Sequence, residues 1–465
     1  MRINFTSTGG SFFFFLLLLA VAVFTGMLAS QYSPPILIWA VIAVAVFTVA
    51  FVNTMLALYI LIFSMLLSPE FVAGGIKGGA ALGRGVTLRL DDFLLVVVGF
   101  SWFLKNAVHK ELGLVLKTPL NKPIFYYVLA CIVSTGFGVM AGRVDAKTGF
   151  FFVLKYFEYF IVYFMMINYL EDKEQMKRFV FCIFLTCFIA SIYGMIQIPG
   201  GGRVSAPFEG ETGEPNTFGG YLVFIGAVAA GLFARSEELR AKWILAFLLV
   251  SIIPPLLFTE SRSSYLAFIP ACLFLGLMSE RRVIVVGLIL VSLALSPLFL
   301  PSTVKNRILY TFTQREHPGQ HVMVGKMRLD TSTSARLKSW KDGVQAWTKH
   351  PMLGHGVTGY GFIDAQFPRV LVESGVIGLI AFIYLLYSIF KLTILNLKEL
   401  KTPYFKGLTI GFLAGYIGLL FHAIGANTFI IVRIMEPFWL LAGIITVLPM
   451  LENEELSSVE LQKTY

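Results

Sequence analysis

Apolar runs of about 17 to 22 residues follow one another along almost the whole chain, and they constrain the fold more than any motif does. Runs of that length suit helices that cross a bilayer, and they lack the strict two-residue alternation of a barrel strand. They lie at 12–29, 36–51, 53–68, 92–104, 123–141, 150–168, 178–197, 216–234, 242–258, 264–278, 282–300, 370–390, 406–424 and 431–450. The expectation is an all-α integral membrane protein, a polytopic bundle of about 14 transmembrane helices with one large external loop at 301–369. Composition agrees, because a 465-residue chain that is 57% hydrophobic and 14% charged cannot hide its apolar surface by folding on itself. The Leu-Ala-Ser before Gln31 raises the alternative of a cleaved signal peptide, but the length of the 12–29 run favours an uncleaved first helix.

Charge then orients the bundle. Connectors bearing Lys105, Lys117, Lys122, Lys173, Lys177, Arg235, Arg240, Arg281, Arg282, Lys398 and Lys401 alternate with poorer ones bearing Arg143, Arg203, Arg262 and Arg433. The positive-inside bias puts both termini in the cytoplasm and the 301–369 loop on the periplasmic or exterior face of a bacterial inner membrane. The net charge of +10 is spread over these connectors, where anionic headgroups suffice as partners, so no nucleic acid is implied. Cys131, Cys182, Cys187 and Cys272 sit in apolar runs without metal or redox spacing and read as inert. The outside offers no nucleotide sugar, and the adjacent Asp91 and Asp92 do not form a spaced metal-binding pair on the cytoplasmic side. A reaction at the outer face needs a donor that arrives already activated.

Within the outer loop, KHPMLGHG precedes DAQFPRVLVESGVIGLIAF. These segments resemble the C-terminal signature of the bacterial O-antigen ligase and polymerase family, in which a P-L-x-G-x-G turn precedes an H-N-x-Y-L-x-x-L-x-E-x-G run. PFEGETGEPNTFGGYL after Arg203, TESRSSYL at 259–266 and NTFIIVRIMEPFWLLAGI extend the similarity over roughly 180–450. The resemblance implies a GT-C-like, metal-independent, inverting glycosyltransferase without a cofactor. Its donor would be undecaprenyl-pyrophosphate-linked glycan, its acceptor a glycan or lipid A core, and its further partners membrane lipids and a chain-length regulator protein. It also divides the chain into a scaffold (1–178), a catalytic region (179–450) and a cytoplasmic tail (451–465).

Leaving pyrophosphate demands fixed positive charge, which guanidinium groups supply bidentately. Arg262, between Ser261 and Ser263 at an outer helix junction, is the first candidate, against an interfacial Arg paired with Glu260. Arg203 precedes Pro207 and is weighed against a solvated loop charge. Arg336 lies in Ser334–Lys349, where Leu337, Trp340, Val344 and Trp347 recur at helical spacing; the alternative is a packing or interfacial stripe. Asp364 stands where ligases of the family carry their proposed base, a histidine, and Ala365 stands where they carry asparagine. His355 and Glu373 complete the catalytic candidates, the first against a solvated loop residue, the second against a structural or supporting role. His350 reads as part of a helix stop and His422 as a minor candidate, while Lys155 and Glu158 are expected to pair. The glycine-rich 69–89 stretch is expected to be an outer lid or re-entrant piece, lacking the context of a phosphate-binding loop.

The resulting expectation is a polymerase that joins lipid-linked repeat units. The alternatives are a ligase that moves finished glycan to lipid A core, and a transporter or flippase of lipid-linked sugar. Against the transporter, the polar residues concentrate in the C-terminal half and no internal repeat is visible.

Overall fold

The computed structural model describes residues 44–68, 70–73, 86–108, 117–209, 213–313, 323–324, 327–328, 331–361 and 363–463. The apolar run at 12–29 and the start of the one at 36–51 lie outside them. The helices are α1 (Thr54–Leu67), α2 (Leu90–Val108), α3 (Asn121–Met140), α4 (Ala146–Tyr169), α5 (Lys173–Gln197), α6 (Pro215–Arg235) and α7 (Leu239–Phe258). They continue with α8 (Arg262–Leu277), α9 (Arg282–Phe299), α10 (Ser302–Thr313), α11 (Thr331–Trp347), α12 (Gln366–Glu399), α13 (Pro403–His422) and α14 (Val432–Lys463). Among the described residues nine helices are long and apolar enough to cross a membrane, and α1 and α8 are shorter apolar ones. The chain is an all-α polytopic membrane protein, with every expected run from 53–68 onward met by a helix.

Two compact units share these elements. The smaller takes its residues from Met1–Leu61 and Asp92–Leu114, and within it Phe47 lies against Phe100 at 6.3 Å between ring centroids. The larger comprises Ile62–Asp91 and Val115–Tyr465. Its centre is the α6–α13 pair, where glycines let two backbones approach as they do between membrane helices. A Cβ on Gly231 would meet the Gly411 nitrogen at 2.4 Å, and one on Gly411 would meet Val228 Cα at 2.7 Å. Beside this pair, Trp439 of α14 is wedged edge-on between Phe160 and Tyr163 of α4, at 4.7 and 5.6 Å.

The 69–89 stretch departs from an all-helical reading at its ends. Glu70–Ala73 (β1) pairs antiparallel with Val86–Arg89 (β2), while the intervening glycines at 74–85 lie outside the described residues. Asp91 closes the base of this hairpin, accepting from Ser68 Oγ at 2.9 Å and Arg89 Nη2 at 2.6 Å. A second two-residue pairing, Met323–Val324 (β3) with Met327–Arg328 (β4), lies between α10 and α11.

Alternation of the helices gathers the connectors at two ends. At one, the α5–α6 and α7–α8 connectors meet through Arg203 Nε donating to the Thr259 carbonyl at 2.9 Å. There too the start of α12 meets the end of α13, where Gln366 N–H donates to the Ala423 carbonyl at 3.1 Å. At the other, Arg235 Nη1 reaches Glu280 Oε1 at 2.9 Å, and Glu452 Oε1 accepts the backbone N–H groups of Lys401 and Thr402 at 3.0 and 2.6 Å.

Candidate functional site

The turn Pro351–Gly356 and the first half of α12 are built against each other by backbone hydrogen bonds. His355 N–H donates to the Val372 carbonyl at 2.9 Å, Gly356 N–H to Glu373 at 2.8 Å, and Val376 N–H to Pro351 at 2.9 Å. The last bond is needed because α12 breaks at Gly375, whose φ of 66° and ψ of −168° interrupt the helical ladder. A Cβ there would lie 2.2 Å from the Met352 carbonyl oxygen, and one on Gly354 2.6 Å from the Glu373 carbonyl carbon. The glycines of G-x-G and E-x-G are thus one contact seen from its two sides.

Glu373 locks this joint. Its Oε1 accepts from Arg369 Nε at 3.1 Å and from Thr358 N–H at 3.3 Å, its Oε2 from Tyr156 of α4 at 3.3 Å, and its carbonyl from Ser134 of α3 at 2.7 Å. The Arg369–Glu373 side chains are 11% and 10% exposed. His355 belongs to the same turn. Its ring is buried, with Nε2 3.0 Å from the Ala346 carbonyl, and it meets the His350 ring edge-on at 4.8 Å. His350 Nε2 in turn lies 2.6 Å from Arg143 Nη1. Its pKa is lowered from the ordinary 6.5, first by desolvation and then by the Arg143 charge.

A second cluster gathers where the α5–α6 and α7–α8 connectors meet the stretch between α9 and α12. Arg203 Nη2 also reaches Asn216 Oδ1, in the first turn of α6, at 3.3 Å. Arg262 opens α8, whose N-cap Ser261 Oγ accepts from Ser264 N–H at 3.2 Å, and its Nη1 reaches Thr333 Oγ1 of α11 at 3.3 Å. Arg307 of α10 joins them. Burial pushes the Arg203 guanidinium below its ordinary value, and so do the charges of Arg307 and, less, Arg262, with the Glu260 carboxylate acting against them. Arg307 Nε is buried without a hydrogen-bond partner among the described residues. Arg203 and Arg262 therefore stand at the N-termini of α6 and α8, with the Arg307 charge near enough to act on Arg203, an arrangement that favours an anion.

Arg336, one turn beyond Thr333 on α11, meets a carboxylate. Its Nε and Nη2 both donate to Asp364 Oδ2, at 3.1 and 2.9 Å. The backbone around Asp364 is pinned, since Asn427 Nδ2 donates to the Ile363 carbonyl at 2.8 Å and Phe429 N–H to Gln366 Oε1 at 2.9 Å. His422, at the end of α13, is fully buried between Thr428 Oγ1 (2.7 Å) and Ser264 Oγ (3.4 Å), within reach of the Arg336 charge.

The six candidate residues fall into two groups. Arg203 and Arg262 stand together at the α5–α6 and α7–α8 connectors, Arg262 reaches α11 through Thr333, and Arg336 of α11 holds Asp364, whereas Glu373 and His355 are engaged with the turn. Sequence reasoning missed Arg307, which lies in a polar stretch without a motif. It also missed Arg433, whose Nη1 donates to the carbonyls of Leu66 and Pro207 at 3.3 and 3.0 Å and lies 3.5 Å from Glu209 Oε1. Among the described residues no His, Cys, Asp or Glu cluster could hold a metal ion.

Residues 247–383 match a family model described as O-antigen ligase. No curated protein matches the chain. The matched stretch contains Arg262, Arg307, Arg336, Asp364 and the whole of the glycine-locked turn, and it indicates function of the O-antigen ligase and polymerase type.

Proposed function

With an O-antigen ligase domain in its chain as the premise, we propose that this membrane protein is a glycosyltransferase that polymerises lipid-linked glycan. The donor is a glycan on undecaprenyl pyrophosphate, and the site opens on the outer face of the cytoplasmic membrane. The observation that carries the reading is the grouping of Arg203 and Arg262, with the Arg307 charge acting on Arg203, against α11, which also carries Arg336 and its carboxylate partner Asp364. In the reaction, an acceptor hydroxyl oxygen attacks the anomeric carbon from the face opposite the pyrophosphate. The bond from that carbon to the pyrophosphate oxygen breaks, and its electron pair leaves with the lipid pyrophosphate. The hydroxyl proton passes to Asp364 and then to water. Guanidinium groups hold the growing charge on the leaving group, where fixed donors act most strongly. We assign the base role to Asp364 rather than Glu373, because the Glu373 oxygens already accept from Arg369, Thr358 and Tyr156.

Purified protein incubated with lipid-linked glycan alone should lengthen the chains, and Arg307→Ala should abolish lengthening without loss of folded protein. Transfer that occurs only when lipid A core is added would assign the chain as a ligase. Movement of lipid-linked units across a bilayer without bond formation, unaffected by Arg203→Ala and Arg262→Ala, would replace the enzymatic reading with a transporter.

A further inference from the structure

Three ion pairs in the larger unit differ in exposure, and the difference separates permanent contacts from exchangeable ones. Arg433 and Glu209 are each 1% exposed, Arg369 and Glu373 11% and 10%, but Arg336 and Asp364 22% and 34%. The last pair is joined through a single carboxylate oxygen, because both guanidinium nitrogens donate to Asp364 Oδ2 instead of forming the parallel two-oxygen fork. Its two halves are anchored differently. Asp364 sits between backbone positions tied to the α13–α14 connector, whereas Arg336 projects on a long side chain from α11. Thr333, three residues before Arg336 and so on the same helix face, carries the contact to Arg262. That face of α11 is therefore directed towards the guanidinium cluster.

We propose that Arg336 changes partner during the reaction, releasing Asp364 when the donor's diphosphate arrives. This deepens the glycosyltransferase reading and rests on it. A diphosphate carries more charge than a carboxylate and offers oxygens in the geometry of the guanidinium fork, so it competes well for Arg336. While Arg336 is on Asp364, two charge-assisted N–H groups occupy Oδ2, one of the two oxygens that could take a proton. Once Arg336 moves, the acceptor hydroxyl can give its proton to Asp364 as its oxygen bonds the anomeric carbon. The breaking bond then delivers its electron pair to the diphosphate that Arg336 now holds. The exchange imposes an order: both oxygens of the base are released from Arg336 only with donor in place.

The test is the binding of undecaprenyl pyrophosphate, without any acceptor, to full-length protein in lipid nanodiscs. Asp364→Asn removes the competitor for Arg336 and should tighten binding by about two- to fivefold, the range expected for a partly exposed pair. Arg336→Ala should weaken binding, and in that background Asp364→Asn should have no effect. Equal or weaker binding by Asp364→Asn overturns the exchange, as does an equal tightening in the Arg336→Ala background, which would mark general repulsion. Asp364→Ser replaces the Asn variant if that variant fails to fold. Wild-type protein that binds no undecaprenyl pyrophosphate defeats the glycosyltransferase reading itself, whereas binding that ignores Asp364 defeats the exchange alone.

Discussion

Replacing Gly375 by alanine separates two costs that the structure places at one residue. With φ at 66° and ψ at −168°, a backbone region that essentially only glycine adopts, an L side chain costs about 1–3 kcal/mol. The added Cβ would also lie 2.2 Å from the Met352 oxygen and 2.7 Å from the Gly354 nitrogen, both backbone atoms that no rotamer change can move. Relief requires the turn and α12 to part, loosening the bonds from His355, Gly356 and Val376, each worth roughly 0.5–1.5 kcal/mol net. The sum is about 3–7 kcal/mol. Two other glycines calibrate it. Gly142 has a φ of 68° with open space around it, so its alanine variant should lose about 1–2 kcal/mol, while Gly361 has open space and no such φ and should lose almost nothing. Unfolding of the three purified variants, followed by tryptophan fluorescence, should rank Gly361→Ala above Gly142→Ala above Gly375→Ala. A Gly375→Ala protein as stable as Gly361→Ala would refute the locked-turn account.

Other residues give equally direct expectations. Glu373→Ala strands the buried Arg369 guanidinium and should destabilise by about 3–5 kcal/mol, with Glu373→Gln costing less because Gln still accepts hydrogen bonds; thermal unfolding compares the two. Arg433→Met leaves the Glu209 carboxylate buried and should cost a similar amount, most of it recovered in Arg433→Met with Glu209→Gln. For His350 the lowered folded pKa fixes the sign: its contact with Arg143 stabilises fully above the unfolded value of 6.5 and fades as pH falls through the lower folded value. Histidine-selective nitrogen NMR should place its midpoint below 6.5, and Arg143→Ala should raise it.

Much of the fold was legible because hydropathy depends on neighbouring residues alone, and each described run became a helix. The site was legible where a motif brought distant residues into one pattern, as for Arg262, Asp364 and the two glycine signatures. Arg307 escaped because its significance comes from Arg203, about a hundred residues earlier, and no local spacing records that meeting. Arg433 looked like one more charge in an outer connector, although the carbonyls around it make it one of the least exposed side chains. The Arg369–Glu373 pair carried an available signal, opposite charges four apart on a helix, which attention to the E-x-G motif obscured. On α11 the apolar stripe marked a helix but not its packed face. Gly343 lies against Ile363 and Val372, while Val344 remains 42% exposed.

None of the eighteen residues of α9 is buried, and its neighbour α8 meets it at Gly276, opposite Val286 and Ile289. A span in that position is selected for oiliness and little else, so its individual side chains are free to drift. Exchange of its second half, from Leu290 to Phe299, for an unrelated apolar sequence of equal length should leave the protein folded. That makes it a natural place to attach a reporter without disturbing the arginines beyond it.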